Sequence, residues 1–79
     1  MNIQKVYQKI LSNLRTAKIP NPENETREIF CYVLKKDWAF LLAHPEKKLT
    51  EKQTTKINQL IQRRLKNEPL AYILGYKNF

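Results

Sequence analysis

Ile3, Val6, Tyr7, Ile10, Leu11, Leu14 and Ala17 recur at intervals of three and four without a break. That spacing lays one apolar stripe along a helix of 3.6 residues per turn. It cannot do so along a strand, whose faces alternate at every residue. Residues 3–18 therefore read as an amphipathic helix, and whatever follows must cover its apolar side.

The rest of the chain keeps the same period. "IPNP" at 19–22 ends the first helix. Asn21 is placed to cap a second, with Pro22 at its first position and Glu23 and Glu25 in the first turn, where the helix dipole favours acids. Ile29, Phe30, Val33 and Leu34 supply its buried face. Asp37 is positioned to cap a short third helix carrying Trp38, Phe40, Leu41 and Leu42, all expected in the core. Pro45 ends it by disfavouring the α region at His44. "LTEKQ" contains a capping box, Thr50 with Gln53. A fourth helix then runs over about 51–66, with Ile57, Leu60, Ile61 and Leu65 inward. Asn67 can close it in the left-handed conformation. Pro69 restarts a short fifth helix through Leu70, Ile73 and Leu74, stopped by Gly75. No segment reads as a strand. The expectation is an all-α fold, a small antiparallel bundle of about five helices.

Seventy-nine residues suffice for one small core. The 42% hydrophobic and 28% charged content is ordinary for a globular chain. The longest apolar run, "WAFLLA" at 38–43, falls far short of the roughly 20 residues a membrane span needs. The N-terminus lacks the apolar centre of a signal peptide. Cys31 is the only cysteine, so no internal disulfide can form. A cytoplasmic location is the expectation.

Little in the chain can carry chemistry. One glycine cannot build a phosphate-cradling loop, and a dinucleotide or adenosyl site of the usual α/β type needs strands. Cys31 and His44 are the only soft metal ligands, too few for a zinc site without carboxylates. A Cys-His nucleophile pair is equally poorly supported, and a histidine held before a proline makes a weak triad member. No catalytic, cofactor-binding or metal-binding residue is assigned.

The basic residues are more informative. Net charge is +8, which invites an acidic partner. On the fourth helix Lys52, Lys56 and Arg63 share one face, with Lys66 at its edge. They are either the solvated side of an amphipathic helix or a footprint for that partner. No aromatic is interleaved with them, which argues against single-stranded nucleic acid. Arg64 instead falls on the apolar heading of Ile57, Leu60, Ile61 and Leu65. A guanidinium there needs a partner, snorkels at the end of the bundle, or contacts another domain. Glu68 is nearest along the chain, with Glu25 or Glu28 as candidates on another helix. Tyr72, Tyr76 and Phe79 lie at the edge of the last helix or beyond it. A bundle this small cannot hide them all, so they either fold back or meet sequence outside this chain.

At this tail the chain resembles a family. "RRLKNEPLAYILGYKNF" is similar to the junction segment of the peptide-chain release factor glutamine N5-methyltransferases (the HemK/PrmC family). The matching positions are Arg63, Arg64, Glu68, Pro69, Ala71, Tyr72, Ile73, Gly75 and Phe79. "ENETREIFCYVL" and "WAFLLAHPEKKLT" resemble the segments before it, so the likeness covers about residues 25–79. Asn67 stands where glycine is usual, and Asn78 where Glu often precedes the Phe.

The resemblance implies a division of labour. Residues 1–75 would be the N-terminal helical substrate-recognition domain, and 76–79 the start of a linker to a C-terminal methyltransferase domain absent from this chain. That domain would carry the Asn-Pro-Pro-Tyr motif and bind S-adenosylmethionine. It would methylate the glutamine of the Gly-Gly-Gln motif in class 1 release factors. Lys52, Lys56 and Arg63 would face the release factor. Arg64, Glu68, Tyr72, Tyr76 and Phe79 would serve structural or inter-domain pairing. The alternatives are a free-standing basic helical module that binds nucleic acid or an acidic protein, and an adaptor belonging to no enzyme.

Overall fold

The computed structural model describes residues 2–75; Tyr76, Phe79 and the expected linker over 76–79 lie outside the described residues. Five helices follow one another: α1 (Ile3–Thr16), α2 (Pro22–Leu34), α3 (Trp38–Ala43), α4 (Glu51–Leu65) and α5 (Leu70–Leu74). No strand occurs among the described residues, only an isolated antiparallel bridge between Asn2 and Lys48. The architecture is the expected all-α bundle.

The second helix is its axis. α2 touches each of the other four helices, and Thr26, Ile29 and Phe30 on it are fully buried. α1 and α4 flank it, and both run antiparallel to it. Arg15 in the last turn of α1 pairs with Glu23 in the first turn of α2. Arg64 in the last turn of α4 pairs with Glu25 in that same first turn. At the opposite end, Val33 of α2 lies against Lys52, Gln53 and Lys56 of α4. Between these ends, Val6, Ile10 and Leu14 of α1 and Ile57, Leu60 and Ile61 of α4 close one hydrophobic core with Ile29 and Phe30. Tyr7 adds an edge-on ring contact to Phe30, with centroids 5.6 Å apart.

Local signals set most boundaries. Asn2 caps α1 by accepting from the Lys5 amide, and Asp37 caps α3 by accepting from Phe40. The capping box at Thr50 and Gln53 forms in both directions. The first-turn amides of Ile3 and Gln4 donate to the carbonyls of Lys47 and Pro45. The segment after α3 thereby satisfies donors that a helix start leaves open. Leu49 plugs this segment into the core.

Three expectations need correction. First, α1 ends at Thr16, not at residue 18. Lys18 turns left-handed at φ 61°, and the Ile19 amide reaches back to the Leu14 carbonyl. Both side chains are buried, which completes a Schellman stop with its apolar clasp. Second, Asn21 holds the cap position of α2 but is itself left-handed, at φ 52°, and its side chain makes no capping bond. A cap needs extended backbone to aim its side chain at the first turn, and the reversal after "IP" denies it that. Third, Leu42 is 63% exposed, although Leu41 is buried and Trp38 and Phe40 are half-buried. A six-residue helix held between Asp37 and Pro45 has too little length to bury all four. Thr26 was not anticipated in the core. Its hydroxyl donates to the Pro22 carbonyl at 2.7 Å, so a buried polar group is satisfied within its own helix.

Burial predicts the order of damage. Phe30→Ala should lose about 3–5 kcal/mol in urea unfolding, while Leu42→Ala should stay within about 0.5 kcal/mol of wild type. Equal losses would show that α2 is not the axis of the core.

Candidate functional site

The residues singled out on α4 divide into two sets with different surroundings. Lys52 and Lys56 are exposed beside Glu51, Thr55 and Gln59 on a shallow part of the surface. Neither forms a salt bridge among the described residues. Their stems lie beside Val33 near the C-terminal end of α2, whose dipole favours cations. Lys35 and Lys36, which follow Val33 closely, are exposed too. Four exposed lysines thus gather at this end of the molecule, with Asp37 and Glu51 among them.

Arg63 shares their heading but not their situation. Its Nε donates to Glu68 Oε1 at 3.0 Å, and its Nη2 lies 2.9 Å from the same oxygen. The reason is the turn after α4. Lys66 is the cap and Asn67 turns left-handed at φ 71°. The Glu68 amide donates to the Arg63 carbonyl and the Asn67 amide to the Arg64 carbonyl. This is a second Schellman stop. It brings residues 63 and 68 together, and an ion pair replaces the usual apolar clasp. Arg63 is therefore engaged locally, unlike the two lysines.

Arg64 finds the inter-helix partner. Its Nε donates to Glu25 Oε1 at 2.6 Å, its Nη2 to Glu25 Oε2 at 3.3 Å and its Nη1 to the Glu68 carbonyl at 3.2 Å. Thus Glu25, not the Glu68 carboxylate nearer in sequence, neutralises Arg64; Glu68 contributes its backbone oxygen. The side chains of Arg64 and Glu25 are only 13% and 14% exposed, against 58% and 60% for Arg15 and Glu23. The Arg64 pair is thus shielded from water, and the Arg15 pair is not. The bond to Glu25 raises the Arg64 pKa further above its already high value, which keeps the charge in place. The Arg15 guanidinium likewise holds the Glu23 carboxyl below its ordinary range.

The remaining candidates separate. Tyr72 lies within α5 and is 73% exposed, while Ile73 and Leu74 beside it are buried. Burial pushes the Cys31 thiol up, towards the neutral form. The His44 ring packs against Phe40, with centroids 4.4 Å apart. Among the described residues no group of three metal-ligating side chains comes together. One surface feature was not anticipated. Tyr7, Trp38, Leu41, Leu42 and Pro45 line an apolar groove between α1 and α3. The short span between Asp37 and Pro45 was its one sequence signal.

The difference in shielding gives a test. Arg64→Ala leaves Glu25 nearly buried without a counter-charge and should lower unfolding stability by about 2–4 kcal/mol. Arg63→Ala breaks a half-exposed pair and should lose less than about 1 kcal/mol. Unchanged melting of the Arg64 variant would exclude a structural role for the pair.

Comparison with known proteins now bears on this arrangement. The family model "PrmC N-terminal domain" matches residues 5–75, from α1 to Gly75. A "Release factor glutamine methyltransferase" of Buchnera aphidicola is 39% identical over 100% of this chain, which spans 28% of that protein. The protein of the same name from Aliivibrio fischeri is 32% identical over 100% of the chain, again 28% of its length. A "Bifunctional methyltransferase" of Rickettsia bellii is 38% identical over 99% of the chain, which spans 14% of it. The chain thus covers less than a third of each of these relatives. No solved structure matches. The matched span takes in the five helices and the Arg63–Glu68 corner alike, and the chain belongs to the PrmC N-terminal domain family.

Proposed function

We propose that this domain recognises a class 1 peptide-chain release factor and orients it beside a methyltransferase domain of the same polypeptide. That domain would transfer a methyl group from S-adenosylmethionine to the side-chain amide nitrogen of the Gly-Gly-Gln glutamine. The observation that carries the reading is the family match over residues 5–75, together with relatives named for release factor glutamine methylation.

The residues of the domain fit a binding role and not a cofactor role. Gly75, the single glycine, sits in a helix stop, and no strand or glycine-rich loop exists among the described residues to cradle S-adenosylmethionine. The cofactor and the reacting groups belong, on this reading, to the catalytic domain. The helical domain contributes orientation, which lowers a barrier by fixing the reactants in place. Lys52 and Lys56 suit the encounter. They are exposed, unpaired among the described residues, and mounted on a helix whose other side is core. An acidic surface on the release factor would be drawn to them and held in register. Arg63 contributes less, because Glu68 already neutralises it.

Reversing Lys52 and Lys56 to Glu in the two-domain enzyme should raise the KM for release factor about 3- to 10-fold at low salt, with kcat little changed. The difference should shrink as salt rises. An unchanged KM at low salt would contradict the assignment of this face.

A further inference from the structure

We infer that Arg64 is a positioning residue: it ties α2, α4 and the start of α5 into one corner and so sets the direction of α5 up to Gly75. This rests on the reading above only in what it supposes to lie beyond Gly75.

α5 cannot fix its own direction. Five residues make little more than one turn, and such a helix has no independent stability. Its direction must come from outside. Ile73 and Leu74 anchor its inner side in the core, while Ala71 and Tyr72 on its outer side are exposed. These contacts, with Leu70 half-buried against the same core, hold a short helix against a surface but leave its tilt poorly defined, because burial is not directional. Direction is supplied at its start. The Glu68 carbonyl receives Arg64 Nη1, and the Glu68 carboxylate is held by Arg63. The next residue, Pro69, has a rigid φ, and its carbonyl accepts from the Tyr72 and Ile73 amides. Any displacement of Glu68 is therefore passed to the first turn of α5.

Arg64 fits this task for a geometric reason. Its planar fork spends two nitrogens on the Glu25 carboxylate and the third on the Glu68 carbonyl. Three elements are thereby referred to one rigid plane. A lysine could replace the charge but not the three directions. At the far end, Gly75 takes φ 74°, and a Cβ there would meet nothing within 4 Å. Glycine is thus required by the backbone conformation and not by lack of space. α5 is thus fixed at both ends, by Arg64 at the start and by Gly75 at the stop.

Two measurements test the inference. In the 79-residue chain, Arg64→Lys and Glu25→Gln should each speed amide exchange at Ile73 and Gly75 by about tenfold or more beyond the rise at Ile57 and Leu60 in α4, which follows the loss of global stability. In the two-domain enzyme, Arg64→Lys should lower kcat at saturating release factor about 5- to 10-fold and change its KM less than about twofold. Exchange in α5 that stays at the wild-type rate overturns the inference. So does a rise spread evenly over all helices, which would mark Arg64 as a stabilising residue only. A local rise with unchanged kcat overturns it as well. A wild-type enzyme that fails to methylate a release factor overturns the functional reading instead, and the exchange rates then decide whether Arg64 directs α5.

Discussion

Everything in this domain is referred to the burial of α2 between two helices that run against it. Thr26, Ile29 and Phe30 make one face of α2 wholly buried, so α1 and α4 must lie along it and their ends must meet its ends. That constraint sorts the charges. The first turn of α2 carries Glu23 and Glu25, and each flanking helix ends beside it with an arginine. Each charge complements the dipole of its own helix as well as its partner. At the other end of α2 no such ion pair forms among the described residues, and Lys35, Lys36, Lys52 and Lys56 are exposed. One end of the bundle is thus tied by ion pairs, and at the other the lysines stay exposed.

The two arginine pairs look alike in sequence but differ in weight. Arg15 and Glu23 sit mostly in water, where an ion pair contributes little. Arg64 and Glu25 are largely withdrawn from it, and leaving either alone would strand a charge. Arg64 also reaches the Glu68 carbonyl, so this pair joins α2 to the chain leading into α5. The stretch from Arg63 to Gly75 is a structural corner, and the surface proposed for a partner is a different one, the lysine face of α4.

Much of this was legible in the residues. The three-and-four spacing of Ile3 to Leu14 and of Ile57 to Leu65 announced α1 and α4. The capping box at Thr50, the left-handed Asn67 and the stop at Gly75 all appear where local chemistry puts them. What was not legible depends on tertiary contacts. Asn21 has the side chain of a cap but not the backbone, because a tight reversal joins α1 to α2. Leu42 has a core composition but sits on a helix too short to bury every side. Glu68 was nearer in sequence to Arg64 than Glu25, yet the Schellman turn delivers its carboxylate to Arg63. Which glutamate each arginine would take could not be read from two adjacent letters.

On the reading proposed above, these features make a frame for one binding face. The tied end keeps α4 in a defined direction, and the other end presents Lys52 and Lys56 on it. The most direct test is to titrate the isotopically labelled 79-residue chain with a class 1 release factor and follow the amide NMR shifts. The account predicts shifts confined to the α4 face around Lys52, Lys56 and Gln59, weakening as salt is raised, with Ile29 and Phe30 unmoved. No shift at low salt, or shifts centred on the groove around Trp38 and Leu42 instead, would contradict it.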